Sequence, residues 1–389
     1  MKILVLGGDG YVGWPLAVRL ALTHPSATIV LADNQARRAQ VAECGGNSVT
    51  PIEEPNERIA AFSRVFGANN LRFVALDVTT PALDALVAEL RPDVVYHLAQ
   101  QCSAPYSMMD AEHAMFTVHN NEVGNMRVLW AIRNLVPEAH LVKLGTFGEY
   151  AKGGIDIAEG YFHPTYNGQT ATRSMPYPRQ ADDVYHTSKI NDTNYIALAC
   201  RAWGLRVTDV MQSTIFGVWT EETHAHPQLH TRFDYDAVWG TVVNRFVAQT
   251  IVGVPMTVYG TGLQRTGLMG LDDAVGSLAA MATARPEAGE HRVINHVTER
   301  DPCILEIAEA VSKAAEAHGY AATIDRGGYN PRAENDAEKA AYQVENHYVS
   351  SCVSHTPFDK VLAPMFATVA TYRERIRPEV FPPRVRWER

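Results

Sequence analysis

Short runs of apolar residues alternate with longer amphipathic stretches through the first half of the chain. The runs are rich in Val, Ile and Leu and lack polar alternation, which is typical of parallel strands that are covered on both faces. The alternation predicts an α/β fold with a doubly wound parallel sheet and right-handed crossovers. Strands are predicted at Ile3–Leu6, Ala27–Ala32, Leu71–Leu76, Val94–Leu98, His140–Leu144 and Arg206–Met211, and helices at Trp14–Thr23, Pro81–Leu90, Glu122–Asn134 and Tyr185–Trp203.

This regular alternation is interrupted once and then lost toward the C-terminus. Residues 151–183 are rich in Gly, Pro, Tyr and Thr and show no sustained period. A loop of this length inside a compact domain is usually functional. Later, helix and loop signals are mixed, with helices predicted at Val242–Val252 and Ile304–Ala317. We therefore expect a sheet domain over residues 1–216 with a loop insertion at 151–183, a smaller substrate-binding lobe over residues 217–389, and an Arg-rich surface tail at 373–389.

Composition and charge exclude several classes of protein. The formal net charge is −9 and the pI about 5.9, so a nucleic acid is not an expected partner. No apolar run reaches the roughly 18 residues that a membrane helix needs, so no membrane partner is expected. A buried strand opens the chain with no leader before it, which favours a cytoplasmic location. The five cysteines are scattered without metal-ligand spacing, so we expect no metal site.

A glycine-rich turn follows the first predicted strand directly. Gly7, Gly10 and Gly13 open the first helix with a GxxGxxG spacing, and Tyr11 and Val12 lie between them. The first two glycines would let the backbone approach a pyrophosphate, and the third would let the helix pack closely on the strand. The motif predicts a Rossmann-like dinucleotide site. The alternative is a structural glycine turn on a non-binding α/β protein.

The end of the second predicted strand indicates which dinucleotide is bound. Asp33 can accept hydrogen bonds from the adenosine ribose and would repel a 2′-phosphate, so NAD is expected rather than NADP. Arg37 and Arg38 lie close by and argue weakly for NADP, and Arg37 is itself a candidate cofactor contact. Further candidate cofactor contacts are Asn34, Asp77, Val78, Gln100, Asn120, Tyr185 and Lys189.

A YxxxK pattern begins the helix predicted at Tyr185–Trp203. Tyr185 and Lys189 are four residues apart, so they share a helical face and can meet beside a nicotinamide. A phenol has an ordinary pKa of about 10, and a neighbouring ammonium favours the phenolate. Thr146 ends the fifth predicted strand, where its hydroxyl can bind the same substrate oxygen. These residues predict proton transfer at an alcohol or carbonyl; the alternative is that Tyr185 and Lys189 are surface residues of a helix.

Together these motifs resemble the extended short-chain dehydrogenase/reductase family, and longer strings resemble the UDP-sulfoquinovose synthases within it. The resemblance covers most of the chain. It implies a tightly bound, recycled NAD, oxidation of C4 of a nucleotide-linked hexose and loss of the C6 hydroxyl to a 5,6-ene. In the synthases, sulfite then adds at C6. The strings are Gly7–Trp14, Ser103–Met108, Leu141–Tyr150, Asp234–Val238 and Asn330–Arg332.

The resemblance also implies roles for individual residues. It makes the Tyr–Lys pair the base and the strand-end Thr the group that orients the 4-hydroxyl. His186 and Glu149 are candidates for moving the C5 proton and the C6 hydroxyl. Ordinary 4,6-dehydratases carry an Asp-Glu pair directly after the strand-end Thr, whereas this chain has Phe147 and Gly148.

Two positions depart from the synthase pattern. In the synthases an arginine precedes the string Ser-Ala-Pro-Tyr-Ser-Met and is expected to help hold sulfite and the cofactor. This chain has Cys102 at that position. The synthases also have an arginine that is expected to contact the nucleotide diphosphate, and this chain has Thr266 at that position. Arg265 lies one residue earlier, so its side chain is expected on the other face of the strand. Arg245 and Arg332 are the remaining candidates to hold phosphate. If the absence of both arginines matters, the enzyme would still carry out the elimination but would not add sulfite. A hexosyl nucleoside, which has no diphosphate, is then an alternative substrate.

The sequence therefore predicts an NAD-dependent sugar dehydratase that oxidises C4, eliminates the 6-hydroxyl and returns the hydride. The alternatives are a UDP-sulfoquinovose synthase, a 4-epimerase and a non-catalytic NAD-binding scaffold. A homodimer is expected through Glu122–Asn134 and Tyr185–Trp203. The expected substrate contacts are Cys102, Thr146, Gln212, Arg245 and Arg332.

Overall fold

The strands form one large parallel sheet and several small pairings. The computed structural model describes residues 1–150, 155–298, 302–328, 339–383 and 385. In this part of the chain the large sheet has seven strands in the order β14-β10-β5-β4-β1-β2-β3. The strands are β1 (Lys2–Leu6), β2 (Thr28–Asp33), β3 (Leu71–Ala75), β4 (Val94–His97), β5 (His140–Leu144), β6 (Tyr161–Phe162), β7 (Thr165–Tyr166), β8 (Gln169–Thr170), β9 (Met175–Pro176), β10 (Arg206–Gln212), β11 (Thr214–Phe216), β12 (Met256–Tyr259), β13 (Leu268–Gly270), β14 (His291–His296) and β15 (Ile324–Gly328).

Helices cover both faces of the large sheet and build most of a second lobe. A π-helical turn at His119–Val123 joins two of them, and a 3₁₀ turn at Phe147–Glu149 follows β5. The helices are α1 (Gly13–Thr23), α2 (Ala36–Glu43), α3 (Pro55–Phe66), α4 (Ala82–Leu90), α5 (Ala104–Ser107), α6 (Ala111–Val118), α7 (Gly124–Leu135), α8 (Val184–Trp203), α9 (Glu221–His224), α10 (Val242–Val252), α11 (Leu271–Ala280), α12 (Ile304–Ala317), α13 (His347–Cys352) and α14 (Phe358–Thr371).

The large sheet confirms the predicted doubly wound fold. Its pairings are all parallel, and the six predicted strands differ from the observed ones by at most one residue at either end. β1 shows why its sequence has no polar alternation. Ile3 and Val5 pack into the core on one face of the sheet, while Leu4 and Leu6 pack into the core on the other. Both faces are buried along residues 3–6, so these four positions are all apolar.

The second lobe has its own core, but its boundary differs from the predicted one. Phe246 of α10, Ile307 of α12 and Phe366 of α14 meet in this core. However, β14 pairs with β10 in the large sheet, and Leu278 of α11 is buried against the core that α1 covers. The division at residue 216 is therefore too simple, because part of the segment that follows it returns to the sheet domain.

Two predicted loop segments contain ordered structure. The insertion at 151–183, described from residue 155, forms small antiparallel pairings of β6 with β9 and β7 with β8. The prediction of a surface tail at 373–389 is wrong for the residues up to 383. Ile376, Val380 and Phe381 are buried in the core of the second lobe, and Arg375 donates to the Val49 carbonyl at 2.8 Å. Among the described residues, no helix is both long and apolar enough to cross a membrane.

Candidate functional site

A cavity of about 640 Å³ opens at the carboxyl ends of the sheet strands. The sheet domain contributes the glycine loop after β1 and the ends of β2, β4, β5 and β10. The second lobe contributes Asp234, Trp239 and Arg245 to the opposite wall. Open α/β sheets bind their ligands at this edge.

The glycine loop has the geometry of a phosphate cradle. Gly7 has a φ of +85°, and a Cβ at this position would lie 2.6 Å from the backbone carbon of Leu98. A Cβ on Gly13 would overlap the carbonyl oxygen of Gly7. Only glycine fits these positions, which brings the N-terminus of α1 close to the strand and leaves the loop backbone open to a ligand. Gly7, Gly10, Tyr11, Val12 and Gly13 all line the cavity, so the loop fits a dinucleotide pyrophosphate.

Asp33 lies at the end of β2, between the glycine loop and the cavity. Its carboxylate accepts hydrogen bonds from the backbone amides of Asp9, at 3.0 Å, and Gln35, at 2.6 Å. Burial raises the pKa of Asp33, while the two backbone hydrogen bonds oppose that rise. Asn34 also lines the cavity, and its side-chain amide donates to Asp77 at 3.0 Å. This arrangement fixes a carboxylate where the resemblance places the adenosine ribose.

Both arginines that follow β2 are held by carboxylates. Arg37 lies 2.8 Å from Asp234 and stacks on the Trp239 ring at 3.7 Å. Arg38 lies 2.7 Å from Asp9 and outside the cavity lining. Neither guanidinium is held ready for a 2′-phosphate, so the local charges favour NAD over NADP.

Among the other predicted cofactor contacts, Asp77 does not reach the cavity. Its carboxylate accepts the Thr79 amide at 2.8 Å and the Thr79 hydroxyl at 2.7 Å, so it stabilises the turn after β3. These bonds give Asp77 a structural part in the turn, and its predicted contact with the adenine stays a prediction. The remaining candidates in this group all line the cavity: Val78, Gln100, Asn120, Tyr185 and Lys189.

The structure brings the predicted catalytic triad together. The Thr146 hydroxyl follows β5, accepts the Gly148 amide at 3.2 Å and lies near enough to the Tyr185 phenol to influence its pKa. The Lys189 ammonium donates to the Leu144 carbonyl at 2.5 Å. All three triad residues line the cavity. They surround a position that a substrate oxygen can occupy, as acid–base chemistry at a secondary alcohol requires.

Burial governs the pKa values of this triad. It raises the pKa of Tyr185 well above the ordinary value, with smaller contributions from Cys102 and Glu149, while the hydrogen bond from Thr146 opposes the rise. Burial also lowers the pKa of Lys189, and the nearby charge of Lys143 adds to that effect. Burial therefore outweighs the other influences on the pKa of Tyr185. The predicted lowering of that pKa by Lys189 stays a prediction.

His186 lies beside the triad, in the first turn of α8. Its ring centroid is 4.7 Å from that of Tyr185, and its Nδ1 is 2.5 Å from a carboxylate oxygen of Asp183. The imidazole lies over Gly148, where any Cβ would overlap the ring. The Phe-Gly pair that replaces the acidic pair of ordinary dehydratases therefore makes room for an imidazole at the cavity wall.

Glu149 points away from the cavity, so its predicted part in catalysis is wrong. The carboxylate accepts the Thr146 amide at 3.1 Å and completes a capping box around the 3₁₀ turn. It also pairs with Arg179 and accepts the Thr193 hydroxyl at 3.0 Å. Its side chain is fully buried in this ion-pair network and does not line the cavity.

The predicted substrate contacts are largely gathered at the cavity. Cys102, Gln212 and Arg245 line it, whereas Arg332 lies outside the described residues. The Cys102 sulfur is 3.1 Å from Nη1 of Arg37, so a guanidinium stands beside the position where the synthase pattern has its arginine. Arg265 lines the cavity together with Thr266. The prediction that the one-residue shift turns this cation away from the site is therefore wrong.

The sequence analysis missed several cavity residues. Arg232 pairs with Asp234, which also holds the predicted contact Arg37, and Trp239 carries the stacked Arg37. Arg232 and Trp239 come from a stretch with no regular period and were not predicted, although the unusual string that begins at Asp234 lies between them. Asp183, which holds His186, was also missed. An Asp three residues before the His at a predicted helix start was the available signal.

Comparison with known proteins places this geometry in context. The NAD dependent epimerase/dehydratase family matches residues 3–295. UDP-sulfoquinovose synthase, chloroplastic, from Spinacia oleracea is 39% identical over 392 residues, covering 100% of this chain and 79% of that protein. UDP-sulfoquinovose synthase from Sulfolobus acidocaldarius is 40% identical over 354 residues, covering 90% and 87%.

A solved structure with the same fold is a UDP-glucuronic acid 4-epimerase from Bacillus cereus in complex with UDP-glucuronic acid and NAD. It aligns with a TM-score of 0.66 at 19% identity, covering 97% of this chain and 100% of that one. At this identity the likeness establishes the shared fold.

Proposed function

The chain belongs to the NAD dependent epimerase/dehydratase family, and from that membership we propose that it is an NAD-dependent enzyme that oxidises C4 of a UDP-linked hexose and eliminates the C6 hydroxyl. The observation that carries the proposal is the convergence of Thr146, Tyr185, Lys189 and His186 beside a glycine loop in one cavity. The identity of 39–40% to UDP-sulfoquinovose synthases over most of the chain supports the UDP-hexose substrate class.

The cofactor contacts follow from the cavity lining. The glycine loop and the N-terminus of α1 would hold the pyrophosphate, Asp33 would accept the ribose hydroxyls, and Lys189 would bind near the nicotinamide. Bound NAD supplies a reversible hydride acceptor whose nicotinamide is positively charged. Tyr185 takes the proton of the 4-hydroxyl, and Thr146, which lines the same cavity, orients that hydroxyl.

The second half of the reaction concerns C5 and C6. A ketone at C4 acidifies the C5 proton, so an imidazole at the cavity wall can remove it. Loss of the C6 hydroxyl as water then forms the C5–C6 double bond. The support for His186 in this step is that its ring lies beside Tyr185 and over Gly148. Tyr185 returns its proton to the C4 oxygen when the hydride returns, and the net change is the loss of one water.

Cations in the cavity favour a substrate that carries a diphosphate. Arg232, Arg245 and Arg265 all line the wall contributed by the second lobe. Arg245 contacts the Thr257 carbonyl at 3.4 Å through Nη2, and its Nε is buried without a hydrogen-bond partner. A buried guanidinium of this kind binds phosphate oxygens well. A hexosyl nucleoside lacks the diphosphate, so it would leave these guanidinium groups without a phosphate partner.

Addition of sulfite at C6 is a second candidate step, as in UDP-sulfoquinovose synthase. The observation that favours it is the position of Arg37, whose Nη1 lies 3.1 Å from the Cys102 sulfur. Asp234 holds Nε and Nη2 of this guanidinium, which leaves Nη1 to bind a small dianion in place of the missing arginine. Sulfite would add to C6 of the 5,6-ene while C5 regains a proton.

We also propose a homodimer through α7 and α8. Trp130 of α7 and Leu198 of α8 are exposed, and so is Val118 of α6. Large apolar side chains exposed on neighbouring helices are typical of a protein interface.

Mass spectrometry of UDP-glucose incubated with the protein and NAD tests the proposal. Loss of one water from UDP-glucose is expected without sulfite, and a sulfonated UDP-hexose is expected with it if the second candidate is right. UDP-galactose as the product would instead identify a 4-epimerase. No change in any UDP-hexose, with hexosyl nucleosides dehydrated, would overturn the proposed substrate class.

A further inference from the structure

The first turn of α8 carries a buried carboxylate–imidazole pair. Asp183 is the N-cap residue of α8, and one of its carboxylate oxygens accepts the His186 amide at 2.8 Å. The other oxygen lies 2.5 Å from Nδ1 of His186. The side chains of Asp183 and His186 are only 1% and 11% exposed. One carboxylate therefore caps the helix and holds the ring.

The imidazole is packed between Tyr185 and Gly148. The ring packs beside Tyr185, with 4.7 Å between centroids, and lies over Gly148. A Cβ on Gly148 would overlap Nε2 and the neighbouring ring carbon. Because Nδ1 is held by Asp183, Nε2 is the nitrogen that can act on a ligand in the cavity.

We infer that Asp183 is a positioning residue that keeps a proton on Nδ1 of His186 and thereby makes Nε2 the base and acid for the C5–C6 elimination. The inference rests on the proposed function. Nε2 takes the C5 proton, and the electron pair of that C–H bond becomes the enolate of the C4 ketone. The same proton then passes from Nε2 to the C6 hydroxyl, the C6–O bond breaks, and water leaves as the C5–C6 double bond forms. Asp183 stabilises the imidazolium between the two transfers.

A buried carboxylate in this position has a known physical effect on an imidazole. It fixes the tautomer and the ring orientation, and it stabilises the imidazolium without itself taking the proton. In serine proteases, exchange of the corresponding Asp for Asn lowers turnover by about 10⁴ because the imidazole adopts the wrong tautomer. The same exchange at Asp183 keeps the helix cap, because Asn is as good an N-cap residue as Asp.

The chain contains a matched pair on its surface. Asp110 caps α6, accepts the His113 amide at 3.0 Å and lies 2.7 Å from Nδ1 of His113. Neither residue lines the cavity. Asp110→Asn therefore changes the same cap and the same Asp–His contact away from the site, and it serves as the control for Asp183→Asn.

The experiment separates the two halves of the reaction in a single turnover with UDP-glucose in D₂O. Absorbance of the reduced nicotinamide reports C4 oxidation, and mass spectrometry reports deuterium at C5 and loss of water. Asp183→Asn is expected to keep the rate of C4 oxidation within about threefold of wild type, and to slow C5 exchange and dehydration by about 10²–10⁴, the usual contribution of acid–base catalysis. Asp110→Asn is expected to leave both halves unchanged.

A second readout does not depend on turnover. Proton NMR of the protein should contain a far-downfield Nδ1–H resonance that disappears in both His186→Gln and Asp183→Asn and persists in Asp110→Asn. If Asp183→Asn fails to fold, Gly148→Ala takes its place, because it displaces the ring and leaves the helix cap intact. Gly148→Ala should likewise leave the rate of C4 oxidation nearly unchanged and slow C5 exchange and dehydration.

Equal rates in Asp183→Asn and wild type would overturn the inference, and so would an equal loss in both halves, which is what a purely structural cap predicts. A wild-type protein that reduces no NAD with any UDP-hexose would contradict the proposed function instead. The NMR readout would still decide whether Asp183 holds the Nδ1 proton.

Discussion

Asp9 stands inside the glycine loop, and two arginines share its carboxylate. Arg38 lies 2.7 Å from one oxygen and Arg58 lies 3.1 Å from the other. The Arg58 side chain is 1% exposed, with its guanidinium 4.0 Å above the Trp14 ring. Burial lowers the pKa of Arg58 to about 9, and the charge of Asp9 opposes that fall. The loop that would bind phosphate is therefore anchored by a buried ion pair.

Removal of the Asp9 carboxylate should destabilise the fold. Asp9→Ala leaves the Arg58 guanidinium buried without its counter-charge, a change that typically costs about 3–5 kcal/mol. Glu54→Ala is the matched control, because Glu54 pairs with Arg38 at 3.0 Å but its side chain is 65% exposed. Exposed pairs contribute roughly 0–1 kcal/mol. The free energy of unfolding in urea checks both variants, and equal losses in the two would contradict the argument.

The Tyr185 hydroxyl is expected to be essential for C4 oxidation. Tyr185→Phe keeps the ring that packs beside His186 but removes the proton acceptor, so single-turnover reduction of NAD should slow by about 10²–10⁴. Bound NAD, measured after denaturation and chromatography, should remain at the wild-type level. Tyr195→Phe, on the same helix but outside the cavity lining, is the control and should react like wild type. Normal NAD reduction in Tyr185→Phe would assign the proton transfer to another group.

At the scale of elements, a buried ion network joins β5, β10 and α8. Lys143 lies 3.5 Å from Asp209 and 3.8 Å from Glu149, and all three side chains are fully buried. Thr193 donates to Asp209 at 2.7 Å, and its hydroxyl is also within 3.0 Å of Glu149. The network lies behind the strand end that carries Thr146, so it fixes the catalytic edge of the sheet.

Because of this network, the free energy of unfolding should depend on pH in the acid range. Burial raises the pKa of Asp209, but Lys143, His291 and Arg179 outweigh it and hold the pKa well below its ordinary value. Since the folded pKa is depressed, the stabilisation is complete above the unfolded pKa of about 3.9 and is lost as the pH falls toward the folded value. Asp209→Asn should therefore cost about 3–5 kcal/mol at neutral pH.

The measurement is the free energy of unfolding as a function of pH. The difference between wild type and Asp209→Asn should be constant from neutral pH to about pH 5 and shrink below the unfolded pKa of about 3.9. Asp84→Asn is the control, because Asp84 pairs with Arg127 at 2.7 Å on the surface and should change stability little at any pH. A difference that grows as the pH falls would have the wrong sign for this mechanism.

Elements were easier to predict than side-chain roles, and the reasons are physical. β1 and β2 contain continuous apolar runs, so they are visible in the sequence alone. β14 is not, because His291, Arg292, Asn295 and His296 place polar residues on an edge strand. Glu149 follows the strand-end Thr and so suggested catalysis, but a capping box and Arg179, thirty residues later, turn it inward. Local sequence contains no sign of that distant partner.

For the whole molecule, the cavity depends on two units that are interleaved in sequence. The sheet domain supplies the cofactor side, and the second lobe supplies Arg232, Asp234 and Arg245. β14 and α11 return to the sheet domain after the chain has begun the second lobe. Dividing the sequence into two consecutive domains therefore locates the glycine loop correctly. It cannot identify the residues of the cavity wall that faces this loop.

The outer surface of α6, α7 and α8 leads to the last prediction. Trp130 is 42% exposed and packs against Trp203 with 4.9 Å between ring centroids, while Leu198 is 48% exposed. Arg133 lies over both indole rings, 4.5 and 4.6 Å from their centroids, and packs the aromatic pair at this surface. A second copy of the same chain can cover this surface around a two-fold axis, because each helix then meets its own equivalent or its neighbour.

Leu198→Arg should therefore convert a dimer into a monomer. Two added charges facing each other across a symmetric apolar interface would be desolvated without partners, which costs several kcal/mol. Light scattering after size-exclusion chromatography measures the mass directly. Leu263→Arg, at a leucine of similar exposure (47%) on the second lobe, is the control and should remain dimeric. A wild-type protein of monomer mass would refute the interface, and a monomeric Leu263→Arg would move it to the other lobe.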